Sequence, residues 1–181
     1  MKNKNVLVFL LFFPLLGSNN TSEYQIRPPV DVNPFRLWQL EKPSCLPPMR
    51  GVPERYSELF EAASEECGIP LEVLAAIAYV ESGFKPFAVS PERPNGNRDL
   101  GMFQFHSDFL DWLADNYNAG VPFDPFSCAQ SVKIAARHIN WLYERYGHWP
   151  DVIMAYNAGI TRIDSGKIPD RTWDYLAAIY R

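Results

Sequence analysis

Apolar residues recur at three- and four-residue spacing along the chain after Pro53, and this period is the strongest constraint on its fold. Such spacing places apolar side chains on one face of an α-helix. Prolines and glycines separate the periodic segments, which predict helices at residues 53–67, 70–82, 107–118, 127–146, 150–157 and 171–179. Asn95-Gly96 lies among prolines and charges rather than between two alternating runs, so no hairpin is expected. The pattern predicts a mainly α fold.

The segment before these helices has a different composition. Seven prolines lie between residues 19 and 53, which excludes a regular helix and predicts an extended arm. The chain has 181 residues, which is enough for one domain with a real core and too few for two. We therefore expect an arm at residues 19–53 and a single helical domain at residues 54–181.

The first 18 residues have the pattern of an export signal. Lys2 and Lys4 form a basic start. An apolar run follows from Val6 to Leu16, and Gly17-Ser18 supplies small residues for cleavage. The run is shorter than the stretch of about 20 apolar residues that crosses a bilayer. An uncleaved membrane anchor is the alternative, because no Ala-x-Ala site is present. Residues 1–18 predict an exported protein with no stable membrane span after cleavage.

Charge limits the partners of the mature chain. The formal net charge is −4, and loss of the two lysines with the signal makes it −6. An acidic balance of this kind does not favour nucleic acid as a partner.

Cysteines and histidines carry little sign of metal chemistry. Three cysteines without a Cys-x-x-Cys spacing fit an oxidising compartment with one disulfide and one remaining thiol: Cys45, Cys67 and Cys128. The three histidines form no His-Glu-x-x-His pair; they are His106, His138 and His148. They are expected at the surface or in the core. No metal or other cofactor is expected.

One carboxyl group falls on an apolar helix face. Leu74 and Ile77 lie seven and four residues before Glu81, so the three side chains share the face that is expected to be buried. Burial disfavours the charged carboxylate, and so does the negative end of the helix dipole in the last turn. Both effects raise the pKa, and a carboxyl group that stays protonated near neutral pH suits a general acid. The alternative is a structural carboxylate that caps the helix or pairs with an arginine.

Three ordered motifs extend this interpretation. They are Glu81-Ser82-Gly83-Phe84, Gly101-Met102-Phe103-Gln104 and Ala155-Tyr156-Asn157-Ala158-Gly159. The first motif continues through Pro86, Ala88 and Ser90. Together they resemble the motifs of the lytic transglycosylase family that is related to soluble lytic transglycosylase and goose-type lysozyme. The resemblance covers residues 56–180, which is nearly all of the predicted domain.

The resemblance implies a mainly α, lysozyme-like single domain of about six helices with an active-site cleft. It implies cleavage of the β-1,4 bond between N-acetylmuramic acid and N-acetylglucosamine in peptidoglycan. Glu81 is then the catalytic residue, which protonates the leaving oxygen and afterwards accepts the proton of the muramic acid 6-hydroxyl as that oxygen attacks C1. The product is a 1,6-anhydro sugar, and the reaction requires no water, no second carboxylate and no cofactor.

The same resemblance assigns substrate binding to residues of the three motifs. The positions carried over are Ser82, Ser90, Met102, Gln104, Tyr156 and Asn157. Ser90 is expected near the catalytic carboxyl group, and Met102 is expected at an acetamido group. Two features depart from the family pattern: the stretch at residues 90–101 is a few residues longer, and His106 replaces a common proline.

A further resemblance concerns the cysteines and the partners. Cys128, within Asp124-Pro125-Phe126-Ser127-Cys128, resembles a cysteine of small transglycosylases from secretion and conjugation systems. That cysteine pairs with one near the first helix. Cys45 and Cys67 are both candidates for this role, and Cys45 is favoured. The expected partners are peptidoglycan strands and a secretion or conjugation apparatus, and the expected location is the periplasm.

Two other functions compete with this interpretation. A lysozyme-type hydrolase of the same bond would use Asp99, or a water held by the long loop, as its base. A non-catalytic glycan-binding component of a secretion system would keep the cleft without turnover. The acid on an apolar face argues against this second alternative, because binding alone requires no such carboxyl group.

Overall fold

Helices account for most of the chain from Leu46 onward. The computed structural model describes residues 46–181, so the predicted export signal, most of the proline-rich arm and Cys45 lie outside the described residues. The elements are, in chain order, α1 (Glu54–Cys67), α2 (Leu71–Ser82), β1 (Asp99–Leu100), β2 (Phe105–His106), a 3-10 helix (Ser107–Phe109), α3 (Leu110–Tyr117), α4 (Cys128–Tyr146), α5 (Trp149–Ala158), α6 (Ile160–Asp164) and α7 (Asp170–Tyr180). No helix within this part of the chain is long and apolar enough to cross a membrane.

The helices agree with the sequence pattern except at one point. The six predicted helices are present as α1 to α5 and α7, and the mainly α fold class is confirmed. The pattern does not predict α6, because its five residues are too few to display an apolar period. Gly159 separates α6 from α5 with φ of 84° and ψ of 149°, a backbone conformation that interrupts the helix.

Helix α2 is the centre of the domain, because every residue from 73 to 78 is buried. Three of these are alanines, whose small side chains allow α1, α4 and α7 to pack closely around the helix. The helix ends at Gly83, which has φ of 63° and donates its N–H to the Tyr79 carbonyl at 2.8 Å. This end point leaves Glu81 in the last helical turn, at the edge of the core.

Helix α4 packs against α1, α2 and α5. The apolar stripe of α4 is buried at helical spacing and includes Val132, Ala135, Ile139 and Leu142. Helix α5 packs between α4 and α7 and buries residues 152–155. It ends at Gly159, which places Tyr156 and Asn157 in its last turn.

A short hairpin corrects the expectation that the chain contains none. Strands β1 and β2 are antiparallel, with Asp99 opposite His106 and Leu100 opposite Phe105. The turn between them contains Gly101 with φ of 76° and Gln104 with φ of 49°. Each strand has only two residues, so no apolar alternation can develop in the sequence. The sequence pattern therefore gives no signal for the hairpin.

Candidate active site

A cleft of about 750 Å³ opens between the hairpin and helices α3, α4 and α5. Four of the residues predicted from the motifs line this cleft, namely Glu81, Gln104, Tyr156 and Asn157. They come from the end of α2, the hairpin turn and the last turn of α5. The tertiary structure thus brings at least one residue of each sequence motif into a single space.

Glu81 lies in the last turn of α2, with protein around most of its carboxyl group and the cleft on its open side. Burial raises the pKa of Glu81 to about 7; the Tyr175 side chain partly opposes this rise and the charge of Asp99 reinforces it. No arginine among residues 46–181 contributes to this pKa. The alternative in which Glu81 pairs with an arginine is therefore not supported. A carboxyl group with this pKa can donate a proton at neutral pH and, once ionised, accept one.

Tyr175, on α7, is a part of the site that the sequence motifs do not identify. Its hydroxyl is completely buried and has no hydrogen bond of ordinary geometry, although it interacts with the Glu81 carboxyl group. Burial, followed by the nearby charge of Glu81, holds the pKa of Tyr175 well above its usual value, so the hydroxyl keeps its proton. The only signal in the sequence is an aromatic residue on the inward face of a predicted helix, which is more often simple core packing.

Gln104 and Tyr156 connect the hairpin turn to the helices. The Nε2 of Gln104 donates to the Gly101 carbonyl at 2.8 Å and to the Ala88 carbonyl at 3.3 Å. The Tyr156 hydroxyl donates to the Phe103 carbonyl at 2.8 Å. Burial, with the charge of Glu81 as a second cause, raises the pKa of Tyr156 well above its usual value. Both side chains are therefore fixed in place where they meet the cleft.

Asn157 is the most exposed of the four predicted residues in the cleft. Its Oδ1 accepts a hydrogen bond from the Thr172 hydroxyl at 2.9 Å, and Thr172 is fully buried at the start of α7. This bond orients the amide of Asn157, so that its Nδ2 is the polar group available to a ligand.

The other three predicted binding residues do not line the cleft. Met102 is fully buried in the core, and its carbonyl accepts a hydrogen bond from the Ser82 hydroxyl at 2.8 Å. Ser90 forms two hydrogen bonds with the backbone of Asp99. Its hydroxyl accepts from the Asp99 N–H at 2.8 Å, and its N–H donates to the Asp99 carbonyl at 3.0 Å. In this geometry the three residues support the walls of the cleft, and their substrate contacts stay predictions.

The long loop at residues 90–101 borders the cleft through Arg93 and Asp99. Arg93 donates to the Asp99 carboxylate with an N–O distance of 2.5 Å, so this second carboxylate is engaged by a guanidinium. His106, at the position where proline is common in the family, also lines the cleft. Its Nδ1 accepts from the Asp108 N–H at 3.3 Å and caps the 3-10 helix.

Aromatic side chains from the 3-10 helix, α3 and α4 also line the cleft. We call Phe109, Trp112, His138 and Trp141 the aromatic wall. His138 is buried yet faces the cleft, and burial lowers its pKa to about 4, so the ring is neutral at physiological pH. Its Nδ1 lies 3.2 Å from the Tyr117 hydroxyl. The sequence motifs do not identify this wall, although His138 and Trp141 lie three residues apart on one helix.

Neither a disulfide nor a metal site occurs in the described part of the chain. Cys67 and Cys128 are free thiols there, so these two candidates do not pair with each other. Pairing of Cys128 with Cys45 involves a residue outside the described range and stays a prediction. Among residues 46–181, no three His, Cys, Asp or Glu side chains are grouped so that they can share a metal ion.

A mainly helical domain with an acidic residue in a central cleft is the architecture of lysozyme-like enzymes, and solved structures support this class. The 70 kDa soluble lytic transglycosylase in complex with bulgecin A superposes with a TM-score of 0.60 at 19% identity. The match covers 70% of this chain and 23% of that one. A lytic transglycosylase mutant from Pseudomonas aeruginosa gives a TM-score of 0.58 at 16% identity, over 70% of this chain and 23% of that one. At these identities the likeness concerns the fold.

The chain belongs to the transglycosylase SLT domain family, whose model matches residues 58–172. Protein IpgF of Shigella sonnei is 34% identical over 128 residues, which are 69% of this chain and 78% of that protein. The membrane-bound lytic murein transglycosylase F of Maricaulis maris is 34% identical over 139 residues, which are 69% of this chain and 28% of that protein. This chain therefore spans less than a third of the latter relative.

Proposed function

We infer that the protein is a peptidoglycan lytic transglycosylase, an enzyme that cleaves the bond between N-acetylmuramic acid and N-acetylglucosamine and leaves 1,6-anhydro ends. The family, the lysozyme-like fold and the relatives named as lytic murein transglycosylases all support this activity. The observation that carries the assignment of the site is the carboxyl group of Glu81, which lines the cleft and has a pKa of about 7.

The proposed reaction uses Glu81 twice. The protonated carboxyl group first donates its proton to the glycosidic oxygen, and the bond from C1 to that oxygen breaks. The resulting carboxylate then accepts the proton of the muramic acid 6-hydroxyl, and a bond forms between that oxygen and C1. Glu81 returns to its protonated form, so the protons balance without water. A pKa near neutrality suits both steps, because neither protonation state is strongly favoured.

The other residues of the cleft act in this proposal by holding the sugar. Gln104, Tyr156 and Asn157 are the proposed sugar contacts, because they line the cleft and are fixed by hydrogen bonds to the protein. Ser82 and Ser90 contribute by bracing the hairpin that carries Gln104. No residue in this scheme requires a metal or cofactor.

Product analysis tests the proposed function directly. Purified peptidoglycan digested by the protein is expected to yield fragments with 1,6-anhydro ends in mass spectrometry. A lysozyme-type hydrolase yields only reducing ends, and Asp99 is the carboxylate in the cleft that would serve as its base. The ion pair of Asp99 with Arg93 weighs against that role. Binding without release of fragments would instead identify a glycan-binding component.

Neutralising Asp99 is expected to move the pH profile. Because only protonated Glu81 can donate, activity falls as the pH rises through its pKa of about 7. The charge of Asp99 contributes to the raised pKa, so Asp99→Asn lowers the pKa and shifts the alkaline limb of the profile to lower pH. Rates of peptidoglycan release measured across pH for both proteins check this shift. An unchanged limb would mean that the charge of Asp99 does not contribute to the pKa of Glu81.

Removing the Tyr175 hydroxyl is expected to shift the alkaline limb of the activity profile to higher pH. The Tyr175 side chain lowers the pKa of Glu81, so Tyr175→Phe raises it and extends activity to higher pH. The buried hydroxyl interacts with the Glu81 carboxyl group but has no hydrogen bond of ordinary geometry, so its removal should lower the thermal midpoint only slightly. A large drop in thermal midpoint, measured by calorimetry, would contradict this description of Tyr175.

Export and disulfide formation are also part of the proposal. We assign residues 1–18 to a signal peptide, residues 19–53 to an arm, and residues 54–181 to the catalytic domain in the periplasm. Cys128 pairs with Cys45 in this assignment, and a secretion or conjugation apparatus is the proposed partner. Peptide mapping of the exported protein without reduction tests the signal peptide and the disulfide. It should find a chain that lacks the signal and a peptide that links Cys45 to Cys128.

A further inference from the structure

Arg50, near the end of the arm predicted at residues 19–53, contacts two helices of the active site at once. Its Nη2 donates a hydrogen bond to the Ala178 carbonyl at 3.2 Å and lies 3.4 Å from the Ile179 carbonyl oxygen. Its guanidinium also lies over the Tyr79 ring, with the central carbon 4.9 Å from the ring centroid. The two carbonyls belong to α7 and the ring belongs to α2, so Arg50 bridges these helices.

The surroundings of Arg50 fix its guanidinium in place. The last four carbonyls of a helix have no donor within the helix, and a cation near that end also interacts favourably with the helix dipole. Ala178 and Ile179 supply two of these carbonyls. Among residues 46–181, the Nε of Arg50 is buried without a hydrogen-bond partner. The guanidinium is therefore held between the two helices and does not lie freely in solvent.

The two bridged helices carry the groups that meet in the active site. On α2, Glu81 lies two residues after the ring that Arg50 covers. On α7, Tyr175 lies one turn before the carbonyls that Arg50 contacts. The start of α7 is held separately, by the hydrogen bond from Thr172 to Asn157 at 2.9 Å. Tyr175 thus lies between two attachment points of its helix, and Arg50 is the second of them.

We propose that Arg50 is a positioning residue of the active site, which fixes α7 against α2 and so holds the Tyr175 hydroxyl at the Glu81 carboxyl group. Arg50 acts through the two helices and not on the substrate. This role rests on the proposed function, in which Glu81 is the proton donor. Without the guanidinium, the end of α7 moves more freely against α2, and the interaction of Tyr175 with Glu81 weakens. Because that interaction lowers the pKa of Glu81, its weakening raises the pKa.

Titration of Glu81 in the exported chain tests this role. The pKa is read from the chemical shift of the ¹³C-labelled carboxyl carbon, identified as the signal that Glu81→Gln removes, and the alkaline limb of fragment release is measured beside it. Arg50→Ala should move both to higher pH by about half a unit. Arg50→Lys keeps the charge and a donor for the carbonyls, so it should restore most of the difference. In a Tyr175→Phe background, Arg50→Ala should cause no further shift, because the supported contact is already absent.

Arg55 provides the matched control, because its guanidinium also lies over a tyrosine ring, that of Tyr56, at 4.8 Å. Arg55 is exposed and lies in the first turn of α1, away from the bridge between α2 and α7. Arg55→Ala should therefore leave the pKa of Glu81 and the alkaline limb unchanged.

Two results would overturn the positioning role of Arg50. One is an Arg50→Ala variant that is folded by circular dichroism and keeps the parent's pKa at Glu81. The other is a shift that persists at full size in the Tyr175→Phe background, since the charge of Arg50 would then act on Glu81 directly. If Arg50→Ala does not fold, Arg50→Gln takes its place in both measurements. Failure of the proposed function shows separately, as an absence of 1,6-anhydro ends from the wild-type digest, because the titration requires no turnover.

Discussion

Replacing Glu81 by glutamine is expected to lower the release of glycan fragments by about 10³-fold or more, because glutamine can neither donate the proton nor accept it back. Glutamine has nearly the same shape as protonated glutamate, so binding of peptidoglycan should persist. Its neutral side chain also avoids burying a charge, so the thermal midpoint should not fall. Fragment release from purified peptidoglycan, followed by chromatography, gives the rate of each protein.

Glu61→Gln is the matched control, since Glu61 is a glutamate on the exposed side of α1. It should release fragments at the wild-type rate and so exclude a general effect of changing one acidic residue. Undiminished release by the Glu81→Gln variant would refute the catalytic role of Glu81. Parallel loss of release and of binding would instead show that the substitution damages the cleft.

Replacing Gly101 by alanine is expected to produce the largest loss of stability. The new Cβ would lie 2.0 Å from the Pro125 carbonyl oxygen, and φ at this position is 76°, a conformation that side chains other than glycine rarely adopt. The clash is with backbone, so it cannot be relieved by a rotamer change. We expect a destabilisation of about 3 kcal/mol or more, seen as a thermal midpoint lower by about 10 °C.

The change should also reduce activity, because the Gly101 carbonyl accepts the hydrogen bond that positions Gln104. Gly96→Ala separates the two causes of the instability. Gly96 has a similar φ of 85° but no atom within 4 Å of the added Cβ, so its substitution should cost about 1 kcal/mol. Equal losses at both positions would mean that the contact with Pro125 contributes nothing.

Much of the fold follows from local patterns in the sequence. The apolar period, the prolines before α1 and α2, and glycines such as Gly68 and Gly83 mark helices that the structure contains. The resemblance to lytic transglycosylases is confirmed as membership of the SLT domain family. Where an element is too short for an apolar pattern to repeat, as in α6 and in the two strands, the prediction failed.

Some residues of the candidate site can be identified from the sequence, and others only from the structure. Spacing on α2 is enough to single out Glu81 as a carboxyl group on an apolar face, and the motifs indicate Gln104, Tyr156 and Asn157. Sequence does not reveal that Ser90 and Met102 turn away from the cleft, because the direction of a side chain in a loop depends on its neighbours in space. It also does not reveal Tyr175, whose effect on Glu81 arises from a contact across 94 positions of the chain.

The sequence by itself determined that this chain forms a helical domain and which carboxyl group is out of place in it, because helix periodicity and the cost of burying a charge act over a few neighbouring residues. Only the tertiary structure decided the pKa of Glu81 and the lining of the cleft. Burial, the charge of Asp99 and the hydroxyl of Tyr175 act on the pKa of Glu81 through space. The groups that act on Glu81 come together only once the helices have packed, and the same is true of the rings of the aromatic wall.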